Sequence, residues 1–108
     1  MSDLTKQLTP FIITLSDLKP QQRRKLLESC NNKHIRGLEE VCLNICKNSV
    51  PLNEDQLKTC KKWRKKIRLI ALKRYPLKKK KELLVQRGGF LPALLPVIAS
   101  VLGAVLSR

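Results

Sequence analysis

Cys42 and Cys46 stand four residues apart in "EEVCLNICKN", so on a helix both thiols leave one face. With Cys30, His34 and Cys60 they compose the donor types of a zinc site. The placement suits that chemistry poorly. Structural zinc pairs sit in tight turns, whereas these cysteines occupy positions where a helical pattern calls for small apolar residues. Zinc, disulfide bonding and plain core packing all stay open, and the spacing favours core packing. His34, beside Lys33 near a helix start, reads as a solvated surface residue. No Ser/His/Asp or Cys/His arrangement and no glycine-rich phosphate loop stands out, so no active site and no cofactor are expected.

A stronger chemical signal lies in "KTCKKWRKKIRLIALKRYPLKKKK", which carries 13 Lys or Arg and no acidic residue. Lys58, Lys61, Lys62, Arg64, Lys65, Lys66, Arg68, Lys73, Arg74, Lys78, Lys79, Lys80 and Lys81 form a one-sided run. A face that only kept a helix wet would relieve its repulsion with interspersed glutamate. The expected partner is a polyanion, foremost double-stranded DNA contacted without regard to sequence. The preponderance of lysine suits point-charge neutralisation better than bidentate base reading. Four aromatic residues are too few for a ladder of base-stacking platforms. Trp63, inside the run, reads more readily as a core anchor than as an inserted ring.

Beyond the run, "FLPALLPVIASVLGAVLS" has no charge and is apolar on every face. Such a segment belongs in a core, in a partner's groove or in a membrane. Phe90, Leu91, Leu94, Leu95, Val97, Ile98, Val101 and Leu102 are the residues a lipid surface would take up. Pro92 and Pro96 argue against a straight span.

The chain of 108 residues allows one domain at most, and its net charge of +15 demands counter-charge on nucleic acid, anionic lipid or acidic protein. Three segments follow from composition: a helical segment, 1–57; a polybasic helix and linker, 58–87; and a hydrophobic C-terminal tail, 88–108. With Asp3 and only a short apolar run from Phe11 to Leu15, the beginning does not read as a secretory signal, so reduced thiols are expected.

The fold class expected is all-α, a small bundle of about three short helices. "SDLKPQQRRKLLESC" offers Ser16 and Asp17 as caps, Pro20 in the first turn and a helix to about Cys30. "NNKHIRGLEEVCLNICKNSV" places Ile35, Leu38, Val41, Cys42, Ile45 and Cys46 at helical spacing, capped by Asn31 or Asn32. Asn53 with Gln56 makes a capping box for a third helix, running to about Arg74 with Leu57, Cys60, Ile67, Ile70 and Ala71 on one side. "LTPFIITL" is expected to pack across the bundle as a turn.

"RGGFLPALLPVIASVLGAV", reached through a lysine run, closely resembles the C-terminal end of the adenovirus core protein X family, precursors of the small basic mu peptide. The broader layout, through "VPLNEDQ" and "LLVQRGGFLPALLP", is similar to counterparts encoded by Maverick/Polinton elements and adintovirus-type genomes. The resemblance implies a minor virion component that condenses the genome, held in the host nucleus or cytoplasm before assembly. It also implies cutting by an adenovirus-type cysteine protease after Gly88 and Gly89. Gln86 then takes the preferred upstream position, where adenoviral sites more often have Met, Leu or Ile. Arg87 takes the variable one, and Phe90 begins the released tail, whose role the resemblance does not give; its apolar composition leaves membrane or capsid proteins open as partners. The adenoviral members are rich in arginine and have no cysteine-bearing helical bundle like residues 16 to 74, so the function of that bundle does not follow from the resemblance. The alternative reading is a C-terminally membrane-anchored cationic protein or a membrane-lytic effector.

Overall fold

The computed structural model describes residues 3–47, 51–85 and 90–106. Seven helices make up this part of the chain: α1 (Asp3–Asp17), α2 (Pro20–Ser29), α3 (Asn32–Cys46), α4 (Glu54–Lys62), α5 (Arg64–Ala71), α6 (Leu77–Val85) and α7 (Phe90–Leu106). No strand occurs among the described residues, so the fold is all-α as expected, with more helices than three.

Local chemistry sets the starts of α2, α3 and α4. Asn31 accepts the backbone N–H of His34 at 3.1 Å and opens α3. At α4 the capping box closes in both directions: Gln56 N–H donates to Asn53 Oδ1 at 2.8 Å, and Asn53 N–H donates to Gln56 Oε1 at 3.0 Å. Pro20 stands at the first position of α2, where its missing N–H costs nothing. The residue before it, Lys19, occupies the cap position, not Ser16 or Asp17. Those two lie within α1, which replaces the expected turn at "LTPFIITL". Pro10 sits inside α1 on its exposed side, so the bond lost there faces solvent.

Cations finish two of the helices. Arg23 donates from Nε to the Leu15 carbonyl at 3.0 Å and from Nη2 to the Leu18 carbonyl at 3.1 Å, which satisfies the end of α1. Lys81 Nζ donates to the Cys30 carbonyl at 3.2 Å, just past α2.

The core is organised on α3, whose Ile35, Leu38, Val41, Cys42 and Ile45 are buried. α1 covers one side with Leu8, Phe11, Ile12 and Leu15, and α5 covers another with Ile67 and Ile70. α6 packs beside α2 and α3, contributing Leu84. α7 lies against α1, α3, α4 and α6.

α7 is a core helix: the segment carries no charge on either face, as expected, but only one face bears large side chains. Phe90, Leu91, Leu94, Leu95, Val97, Ile98, Val101 and Leu102 are all buried, whereas Pro92, Ala93, Pro96, Ala99, Ser100 and Gly103 are exposed. The large side chains recur at helical spacing on one stripe, and the opposite stripe holds only small residues and prolines. Pro92 falls in the first turn, where an amide has no partner within the helix, and Pro96 lies on the solvent side. Among the described residues no single helix is long and apolar enough to cross a membrane.

His34 shows how the α1–α3 seam is built. It is half-buried, not solvated, and its ring stacks on Phe11 with centroids 4.0 Å apart and planes 8° from parallel. Its Nδ1 is buried without a hydrogen-bond partner. Burial holds its pKa below the ordinary 6.5, so on acidification the unfolded chain takes up the proton first. The stability due to neutral His34 is therefore whole above about pH 6.5 and is lost as pH falls below it. Between pH 7 and 5.5 the wild type should lose more Tm than His34→Phe, which keeps the stack without the titration. Equal losses would contradict this account.

Candidate nucleic-acid interface

The basic run folds as α4, α5, a turn and α6, in place of one helix to Arg74. α4 stops at Trp63, whose backbone (φ −106°, ψ 18°) leaves the α-helical region before α5 begins. The bend lets α4 lie on α7 while α5 lies on α3. The half-buried Trp63 ring sits 5.6 Å from the Phe90 ring, tilted by 53°. Lys66 Nζ lies 5.2 Å from the Trp63 ring centroid and 5.6 Å from that of Phe90, and Lys62 Nζ lies 5.3 Å from Trp63. Two lysines thus cover an aromatic seam between the α4–α5 bend and α7. Gln56 adds a link from α4, donating from Nε2 to Ser100 Oγ at 2.7 Å.

Helix geometry separates the cations from the core. On α4 and α5, Ile67 and Ile70 turn inward, and Lys58, Lys61, Lys62, Arg64, Lys65 and Arg68 are exposed, with Lys66 half-buried on the seam. Lys73 and Arg74 are exposed in the turn, and Lys78 and Lys79 on α6. Glu54 and Asp55 in the first turn of α4 and Lys61 and Lys62 in its last complement the helix dipole.

Two of the expected phosphate contacts are employed inside the fold. Lys81 is half-buried on the Cys30 carbonyl. Lys80 has a side chain that is 0% exposed, and its Nζ meets Glu39 Oε1 of α3 at 2.6 Å. The sequence signal for this was available: Leu77, Lys80 and Leu84 recur at three and four residues, so Lys80 occupies a core position of α6.

The thiols divide similarly. Cys30 and Cys42 are buried and Cys60 is half-buried, with burial pushing the pKa of each upward, whereas Cys46 at the end of α3 is exposed. Cys46 therefore departs from the core position its spacing suggested. Among the described residues no three His, Cys, Asp or Glu side chains come together as a metal site. Of the expected cleavage residues, Gln86, Arg87, Gly88 and Gly89 lie outside the described residues; Phe90 begins α7 and is 2% exposed.

A family model for the adenovirus late L2 mu core protein (Protein X) matches residues 12–106. The chain belongs to this family. The match runs from within α1 to the end of α7, so it takes in the helical body that the shorter resemblance left out. No curated protein and no solved structure matches significantly. Membership in the Protein X family makes the chain a viral core structural protein of the virion, and the family is not one of enzymes.

Proposed function

We propose that this core protein binds double-stranded DNA without sequence preference through the outer face of α4, α5 and the start of α6. The observation that carries this reading is the sorting of the run. Ten of its 13 cations, those other than Lys66, Lys80 and Lys81, are exposed, and no acidic residue interrupts them. Such a face binds by releasing counterions from the duplex. If roughly eight cations meet phosphates, log Kobs should fall with log salt at a slope of about −7, alike on duplexes of unrelated sequence. Lys65→Ala should reduce the slope by about one. A marked preference for one sequence would overturn the reading.

The same protein is proposed to be cut by an adenovirus-type cysteine protease after Gly89. Glycines let an extended backbone lie in a narrow groove that a Cβ would obstruct. A Maverick/Polinton or adintovirus-type genome would supply that protease beside a capsid gene. Because Phe90 is buried on Trp63, cutting requires the first turn of α7 to open. The severed tail should begin at Phe90 and still comigrate with the body on native size exclusion, separating only in denaturant. Absence of a Phe90 terminus would refute the cleavage; a Phe90 tail that elutes alone would refute its retention. Action of the tail on a membrane or capsid protein requires α7 to leave the core.

A further inference from the structure

A groove of about 310 Å³ runs between the end of α3 and the α4–α5 bend. Ile45, Leu57 and Ile67 give it an apolar floor, and Lys61, Arg64 and Arg68 stand around it with no acidic side chain among its lining residues. Leu57 is 41% exposed, one of few large apolar side chains left in solvent. DNA phosphates account for the cations and leave the floor without a purpose. An apolar strip bordered by cations matches a helix with leucine-like side chains on one face and carboxylates beside them. We propose that this groove docks an acidic amphipathic helix of a partner protein. Charge complementarity selects the acidic partner, and the floor selects amphipathic spacing over charge alone. Since Lys61, Arg64 and Arg68 also belong to the DNA-binding face, the peptide and duplex DNA should compete.

Cys46, exposed and lining the groove, is a built-in reporter. The full chain would be titrated with a fluorescent 14-residue peptide of glutamate and leucine at helical spacing. Controls are the same composition scrambled and a leucine-free glutamate peptide. The amphipathic peptide should bind at least tenfold more tightly than either control and slow alkylation of Cys46. Leu57→Ser should remove most of that preference, and Arg64→Glu should weaken the amphipathic peptide about tenfold, both being exposed positions. Equal affinity for all three peptides would overturn the proposal, as would binding that leaves Cys46 as reactive as before. Failure of duplex DNA to displace the peptide would also overturn it, because the two share Lys61, Arg64 and Arg68.

Discussion

Ile98→Ala is expected to destabilise the folded chain by about 2–5 kcal/mol. Ile98 is fully buried in α7, a helix that packs on α1 and α3, and truncation there leaves a cavity in the core. Domains of this size are stable by only about 5–15 kcal/mol, so the loss is a large share of the whole. One position along, Ala99 is exposed, and Ala99→Lys should change stability by no more than about 0.5 kcal/mol. Urea unfolding of the two variants measures both. A tail lodged in lipid would reverse the order, because a lysine at the centre of a span costs about 2.5–3.5 kcal/mol whereas exchanging one apolar side chain for another costs little. Near-equal effects would mean that α7 does not fill the core.

The second large effect concerns the α3–α6 ion pair. Lys80→Met should cost about 3–5 kcal/mol, because it leaves the Glu39 carboxylate, 14% exposed, without the cation it was buried against. Adding Glu39→Leu should recover most of that loss, since an apolar pair of similar volume needs no compensating charge. The salt slope of DNA binding should not change in the folded double variant, because Lys80 does not reach the surface. Lys65→Ala should do the opposite, lowering the slope and leaving stability almost untouched. A Lys80→Met chain as stable as the wild type would remove Lys80 from the core and return it to the DNA face.

The sequence made the punctuation of the fold legible. The Asn53–Gln56 box, the Asn31 cap and Pro20 at the first position of α2 are local devices, set by residues within four of one another, and each appears where its spacing places it. The break at Trp63 is not local: it reconciles α4 on α7 with α5 on α3, and nothing between Lys58 and Arg74 encodes it. Lys80 was hidden by its neighbours, since four identical lysines offer no contrast and only the distance to Leu77 and Leu84 marks the inward one. The placement of α7 was not legible from charge alone, because its outer alanines, glycine and prolines are as uncharged as its buried leucines. Sorted by size instead, Phe90, Leu91, Leu94, Leu95, Ile98 and Leu102 fall on one side, and Pro92, Ala93, Pro96 and Ala99 on the other. Of the proposed DNA face, the composition was plain from the run, and the division into outward, seam and inward cations needed the helix breaks.

The seam between α1 and α7 also dictates an order of events. Leu8, Phe11, Ile12 and Leu15 gain part of their cover from a helix some eighty residues downstream, so closing the body carries the entropy of a long loop, unlike most helical bundles. During translation, at about 5–20 residues per second, α1 must wait several seconds for its partner. A ribosome-bound chain that still lacks α7 has a bare apolar flank on α1 beside its many cations, and exposed apolar surface of that kind is prone to aggregate. Any severing of the α6–α7 joint before the body has closed would prolong that hazard, whereas severing it afterwards finds the two pieces already interlocked.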